Sequence, residues 1–333
     1  MTDKNKGVLA GLCKALLFVF SLVYLFGVEF TKILHKIGIL RTHRVNCRVV
    51  SIGNITMGGT GKTPLVELAA KRLKEKGKNA VVLIRGYGDD EHKLLRENLK
   101  DAKVLVGRDR VKNAKRAIAE FKPDVILLDD GFQHWRIKRD LDIVSINSRN
   151  PFGNGNIIPR GILREPLSSL KRADIFLVNK VDSNSAQEAI IERLKKINPK
   201  ADVFKCKYAP VSIYDFIQDK KIDLREIKDK KVCALSAIAD PEYFEKLLRN
   251  SGAIVESSFR FQDHHDYDKQ ELEEIIKKCK ESNIWAILTT QKDIVKIREI
   301  ISKTEIPIYA LQIEPKIDRE DELIGRLYSV VAD

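Results

Sequence analysis

Cysteine and acid are what this chain has little of. Its 333 residues include five cysteines (Cys13, Cys47, Cys206, Cys233 and Cys279), an odd and scattered set with no CxxC pair. That excludes a disulfide framework and a structural zinc finger, and suits a reducing compartment. Acids fall short of bases, 47 against 60, for a formal net charge of +13. A surplus of this size fits an anionic partner: nucleic acid, nucleotide or an acidic membrane surface. The chain also lacks internal repeats, low-complexity tracts and any basic patch interleaved with aromatics, so no nucleic-acid module is expected. With 44% apolar and 32% charged residues, wholesale disorder is excluded, and the length allows two domains with cores of their own.

The surplus of base is concentrated. Residues 1–48 hold eight Lys/Arg and two acids, and so supply +6 of the +13. Within them lies a long apolar run: from Val8 to Val28 only Lys14 is charged, and Ala15–Val28 is unbroken. That length is at the lower edge of a bilayer span. No small-residue cleavage site follows, which argues against a removable signal segment. Phe18, Phe20, Tyr24, Phe26 and Phe30 point to all sides of a helix, which makes burial of a single face awkward. Insertion into a membrane, or deep embedding at its interface, is expected. Lys32, Lys36, Arg41, Arg44 and Arg48 would then meet anionic headgroups on the cytoplasmic side.

Beyond this segment, apolar runs alternate with helical stretches. The runs Arg48–Ile52, Ala80–Ile84, Val104–Val106, Val125–Leu128, Ile143–Ile146 and Ile175–Val178 are nearly continuous in Val, Ile and Leu, as in a parallel sheet covered on both faces. Helices are predicted over Pro64–Lys76, Arg110–Phe121 and Ala186–Ile197. A second alternating unit contains Val232–Leu235, Pro241–Asn250, Ala253–Val255, Lys269–Glu281, Trp285–Leu288 and Ile306–Leu311. The expected class is α/β: a P-loop NTPase-like parallel-sheet domain with a second, smaller α/β domain and an N-terminal membrane-associated helix. The expected boundaries are 1–44 for the helix and its basic flank, 45–207 for the first domain, 208–230 for a polar linker, and 231–333 for the smaller domain.

The stretch Ser51–Pro64, SIGNITMGGTGKTP, carries the clearest chemistry. A strand feeds a glycine-rich turn, and Lys62–Thr63 open a helix. Backbone N–H groups of the turn (Thr56, Met57, Gly58, Gly59, Thr60, Gly61) and of the helix N-terminus can cradle phosphate oxygens. Lys62 adds charge, and the Thr63 hydroxyl suits Mg²⁺. The strict GxxxxGK[ST] pattern wants glycine where this chain has Thr56.

The strand Asp124–Leu128 ends in Asp129-Asp130-Gly131, and in a phosphate-loop enzyme such a strand end places a carboxylate beside Mg²⁺. Asn179-Lys-Val-Asp182 follows another strand and resembles the sequence with which GTPases read guanine, yet no DxxG switch accompanies it. Phe261-Gln-Asp-His-His-Asp-Tyr267 sets two histidines among acids. It suits general-base work near neutral pH, and no further His or Cys partner stands at metal-ligand spacing. Arg160 and Arg164 could clamp phosphates.

Taken together, GNITMGGTGKTP, Arg85-Gly-Tyr-Gly88, Val106-Gly-Arg-Asp-Arg110, Asp129-Asp-Gly-Phe-Gln-His134, Phe152-Gly-Asn-Gly155, Leu163-Arg-Glu-Pro166, Asp263-His264-His265 and Thr289-Thr-Gln-Lys-Asp293 resemble the tetraacyldisaccharide 4′-kinase family, the lipid A 4′-kinases of Gram-negative bacteria. Thr56 is no departure there. The resemblance implies transfer of the γ-phosphate of ATP to the 4′-hydroxyl of a tetraacyldisaccharide 1-phosphate at the cytoplasmic face of the inner membrane, with no nucleic acid and no obligate protein partner. It implies that Lys62 and Thr63 hold phosphates and Mg²⁺, and that Asp129 and Asp130 organise the metal. Gln133 and His134 complete that motif near the nucleotide, and Arg110, Arg164 and Glu165 go with ATP and transition-state charge. The family's catalytic Asp–His pair maps to Asp90 and His264. This chain is shorter than usual before that Asp, so Asp89 is the alternative. Asp90 would take the proton of the sugar hydroxyl with His264 as its partner, and the two are expected in different domains that close on each other. A membrane-tethered P-loop GTPase or metallochaperone is the second reading, and a structural membrane protein with a vestigial phosphate loop is the third.

Overall fold

The computed structural model describes residues 7–86, 89–99, 102–180 and 184–332, with backbone alone at 89–91 and 184–186. The chain divides into two compact units. Unit 1 comprises residues 1–85, 99–207 and 317–333, and unit 2 comprises residues 86–98 and 208–316.

Unit 1 opens with helix α1 (Val8–Lys36). Its parallel sheet is built from β1 (Arg48–Asn54), β2 (Ala80–Ile84), β3 (Lys103–Val106), β4 (Val125–Asp129), β5 (Leu141–Asn147), β6 (Ile175–Asn179) and the first half of β7 (Asp202–Asp215). The strand order is β7-β6-β5-β1-β4-β2-β3. β1 is central and pairs β4 and β5, with Ile52 opposite both Asp129 and Ile143. Helices α2 (Lys62–Glu75), α4 (Arg110–Phe121), α5 (Asn184–Ile197) and α9 (Glu320–Ala332) cover the sheet. One face packs Val49, Val81, Leu83, Ile126 and Leu128 against Val111, Ala114 and Ala117 of α4. The same side further along packs Val144, Ile146, Phe176 and Val178 with Ile190 and Leu194 of α5. Ile52, Ile143 and Leu177 face the other way, toward α2 and α9. Burial on both faces is why these strands read as nearly continuous apolar runs.

Unit 2 contains α3 (Asp89–Asn98), the second half of β7 with its antiparallel partner β8 (Lys220–Asp223), β9 (Lys231–Ser236), α6 (Pro241–Asn250), β10 (Ile254–Arg260), α7 (Lys269–Glu281), β11 (Ala286–Thr290), α8 (Gln291–Ile300) and β12 (Ile308–Ile317). Its parallel strands run β10-β9-β11-β12. Cys233, Leu235, Ile275, Ile287, Ile294 and Ile297 lie in one core, against which Leu94 of α3 packs.

Three expectations about organisation are corrected. The linker expected over 208–230 contains strand: β7 continues to Asp215 and turns back as β8. Buried Phe204, Cys206 and Tyr208 alternate with the more open Lys205 and Lys207, so over this stretch one face is covered and the lysines on the other mask the apolar signal. The last 17 residues return to unit 1, where Arg72 of α2 meets Glu320 of α9 at 2.7 Å. Residues 86–98, counted with the first domain, belong to unit 2, because α3 packs on α8 through Leu94 and through the pairs Lys93–Glu299 and Arg298–Glu97.

Helix α1 is neither a core helix nor detached from unit 1. Ser21 is buried, and Leu17, Leu25, Val28, Lys32 and His35, spaced from it and from one another by three or four residues, are half-buried. The Ser21 hydroxyl donates to the Ile157 carbonyl at 2.8 Å and accepts from the Arg160 N–H at 3.0 Å. Lys32 reaches Ser169 at 2.6 Å and Glu165 at 3.2 Å. Leu16, Phe18, Val19, Phe20, Val23 and Phe26 stay exposed.

Candidate functional site

All strands of the first sheet run parallel, so β1, β4, β5 and β6 deliver their last residues to one edge, where α/β sheets bind ligands. From β1 the chain enters the phosphate loop. Gly61, in the left-handed conformation at φ 72°, turns it into α2 without a side-chain cap, which leaves the first N–H groups of α2 for an anion. Thr63 lies in that first turn. The loop is held from two sides. The Thr60 carbonyl accepts from Ser145 Oγ at the end of β5 and from Asn179 Nδ2 at the end of β6, at 2.5 and 2.7 Å. On the other side, Thr56 bridges Leu163, Met57 N–H donates to the Ile162 carbonyl at 2.7 Å, and Arg164 N–H donates to the Ile55 carbonyl at 2.8 Å.

The acidic turn after β4 sits against the start of this loop because position 53 is glycine. A Cβ there would come within 2.6 Å of Phe132 Cβ and 2.7 Å of its nitrogen. Asp130 has a left-handed backbone, φ 51°, uncommon for a residue with a side chain. Its carboxylate receives Arg164 Nη1 at 2.8 Å on both oxygens and lies 3.6 Å from Lys62 Nζ. Arg164 also donates to Gln133 Oε1 at 3.2 Å, and Gln133 Nε2 donates to the Asn54 carbonyl at 2.8 Å. Burial alone would raise the Asp130 pKa, but Lys62, Arg164 and Arg110 outweigh it and hold the carboxyl down at about 2. Arg110, buried, grips the carbonyls of Asp129 and Asp130. Around one Asp130 carboxylate stand three cations, so the pocket edge has positive charge to spare for phosphate oxygens.

Lys62, Asp130, Arg164 and Gln133 are thus brought together as the sequence suggested, with Asp129 buried at the strand end beside them. His134 adjoins through its backbone, its carbonyl accepting from Arg139 at 2.7 Å. Burial, then the neighbouring Arg110, Arg139 and Arg136, push its imidazole down to about 4. Two of the expected residues are held in bracing contacts. Arg110 braces the acidic turn through its carbonyls. Glu165, 1% exposed, has its carboxylate taken up by Arg172 at 2.7 and 2.9 Å and by Lys32, beneath the site. Two supports were missed altogether. Ser145 carried no sequence signal, and Asn179 was visible only as part of a guanine-like motif. Of that motif, Val181 and Asp182 lie outside the described residues.

Thr63, Asp129 and Asp130 offer hard oxygen donors, and among the described residues no three His, Cys, Asp or Glu side chains converge into a cage. That donor set fits Mg²⁺, which keeps waters and phosphate oxygens and needs only one or two carboxylates from protein.

In unit 2, His264 stands in the loop after β10 at φ 65°. Its N–H donates to the Ala237 carbonyl, its carbonyl accepts from Lys296 Nζ at 3.0 Å, and its Nε2 lies 3.1 Å from Lys292 Nζ. The neighbouring His265 is anchored differently, stacked on Phe261 at 4.5 Å and bonded to Glu271 at 2.8 Å. One of the two histidines is a packing residue and the other is held with its ring half exposed. Asp90 lies in α3, and its side chain is outside the described residues, as is that of Asp89. Asp90 and His264 belong to the same unit, not to two domains that must close to pair them: α3 packs on α8, and α8 carries Lys292 and Lys296.

A tetraacyldisaccharide-1-P 4′-kinase family model matches residues 13–332. The chain belongs to the tetraacyldisaccharide 4′-kinase family. A tetraacyldisaccharide 4′-kinase of Halothermothrix orenii is 36% identical over 90% of this chain and 89% of its own length. That of Syntrophus aciditrophicus is 35% identical over 91% and 89%. The crystal structure of LpxK from Aquifex aeolicus in complex with ATP superposes with a TM-score of 0.72 at 25% identity, covering 96% of this chain and 99% of that one. The protein is accordingly a phosphotransferase of lipid A synthesis, acting on the 4′-hydroxyl of tetraacyldisaccharide 1-phosphate, and the GTPase and metallochaperone reading is not favoured.

Proposed function

We propose that this kinase draws its phosphoryl group from ATP with Mg²⁺ and works at the inner membrane with its site on the cytoplasmic face. Phosphoryl transfer demands charge neutralisation and in-line positioning more than covalent chemistry. The loop from Thr56 to Thr63 and the N-terminus of α2 cradle the β- and γ-phosphates. Lys62 and Arg164, which pair with Asp130, turn part of their donor capacity to the transferring group, where charge spreads in the transition state. Thr63, Asp129 and Asp130 would hold Mg²⁺, which when bound neutralises charge shared by the β- and γ-oxygens. Gln133 and Arg110 keep the acidic turn in register with the loop. Asp90 accepts the proton of the attacking 4′-hydroxyl, and His264 orients it.

The observation that carries this reading is the cluster of Lys62, Arg164 and Arg110 around Asp130 at the mouth of the phosphate loop. Purified protein in detergent should consume ATP only when tetraacyldisaccharide 1-phosphate is present. GTP hydrolysis faster than ATP hydrolysis without acceptor would sink it.

The membrane seating follows from α1. It is 29 residues long, and long and apolar enough to cross a membrane. A stripe from Leu17 to His35 is occupied by unit 1, and the stretch before it, Val8–Leu16, is too short for a hydrocarbon core of about 30 Å. We therefore read α1 as embedded along the interface, its exposed Phe18, Val19, Phe20 and Phe26 among the acyl chains and unit 1 on its other side. A substrate with four acyl chains then presents its sugar without leaving the bilayer.

A further inference from the structure

The motif Thr289-Thr-Gln-Lys-Asp293 has no role in the mechanism above, yet its lysine touches the histidine that does. Lys292 Nζ lies 3.1 Å from His264 Nε2 and 2.9 Å from Asp263 Oδ1. An ammonium has N–H donors and no acceptor, so the ring nitrogen facing it must offer its lone pair. The imidazole proton is then on Nδ1, the less favoured tautomer of a free neutral histidine. We infer that Lys292 is a positioning residue for the kinase reaction, one that locks His264 as the Nδ1–H tautomer and turns its other edge into a hydrogen-bond donor. This inference rests on the reading of His264 as the partner of a catalytic carboxylate. A donor edge suits that partner: it orients and stabilises a carboxylate that is about to take a proton, without competing for the proton itself.

The surroundings hold the lysine to this task. Lys292 is in the first turn of α8, where the helix dipole disfavours a cation, so helix stability alone would not place it there. Asp263 supplies the compensating carboxylate. Asp293, buried at the next position, accepts from Thr290 Oγ1 at 2.7 Å and from the Ala237 N–H at 3.2 Å, and the Ala237 carbonyl accepts from His264 N–H. The start of α8 and the His264 loop are therefore stitched through one residue. Lys296, one turn on, donates to the carbonyls of His264 and His265 and fixes the strained backbone beneath the ring.

The test uses full-length protein in detergent, labelled with ¹⁵N-histidine, with the His264 ring signals assigned by their loss in His264→Ala. In the parent protein at pH 8, long-range ¹H–¹⁵N spectra should show His264 Nε2 as the unprotonated nitrogen. Lys292→Met should move the proton to Nε2 and lower kcat by about 10- to 100-fold, with KM for ATP held within about twofold. Lys292→Arg should keep the Nδ1–H tautomer and recover most of kcat. Lys292→Gln carries the same expectation as Met if the Met variant does not fold. An unchanged tautomer or an unchanged kcat in the Met or Gln variant overturns the inference. Full activity in His264→Ala would instead overturn the reading on which it rests, whatever Lys292 does.

Discussion

At the scale of single residues, two site candidates sit in a backbone conformation that stability alone does not prefer. Asp130 and His264 both hold left-handed backbones without being glycine, a conformation that persists only where surrounding bonds over-determine it. Asp130 is over-determined by Arg164, Lys62 and Arg110. Asp130→Asn removes the charge that balances them, and kcat should fall by at least about 10²-fold in steady-state assays. The acid stability of the two titratable residues should run over different windows. His134 binds its proton near 4 when folded and near 6.5 when unfolded, so its contribution is complete above pH 6.5 and declines as pH falls toward 4. The loss is roughly 3 kcal/mol at most, and His134→Asn should flatten that part of a urea-denaturation series. Asp130, held at about 2, contributes above pH 4, and its share is lost between about 4 and 2.

At the scale of elements, the phosphate loop is not a free glycine turn but a segment propped by side chains from β5 and β6. Asn179 is fully buried and donates to both the Thr60 carbonyl and Ser145 Oγ. Asn179→Ala should leave that carbonyl short of a donor and loosen the loop. The expected result is a rise in KM for ATP of about tenfold and no gain in GTP use, measured by parallel nucleotide titrations. The elements most legible in the sequence were those buried on both faces. β1, β2, β4, β5 and β6 were found within two residues of their ends, because their apolar runs are nearly continuous. What stayed hidden was half-buried or local: β7, whose open face carries lysines, and α8, whose turn of lysine and acid reads as a loop. The site was legible where one motif holds all the partners, as in Lys62 with Thr63. It was not legible where partners come from distant segments, as for Glu165 with Lys32, since a contact across 133 residues leaves no local pattern.

At the scale of the whole molecule, the proposed seating has α1 join the lipid surface to unit 1. Its two faces should separate under mutation. Phe18, Val19 and Phe26 changed together to Ser should release much of the protein from vesicles containing anionic lipid, read by co-sedimentation. Lys32→Met should leave vesicle binding intact but lower stability by about 1–3 kcal/mol, since it strips one partner from buried Glu165. Equal release by both variants would mean that docking and membrane seating are one event. The central claim remains the chemistry at the 4′-hydroxyl. The most direct measurement is mass spectrometry with ³¹P NMR of tetraacyldisaccharide 1-phosphate after incubation with purified protein, ATP and Mg²⁺. The expected product carries one added phosphate, at the 4′ position, and is absent with Lys62→Ala. ATP consumed with no phosphate gained by the disaccharide, or gained at another position, would contradict it.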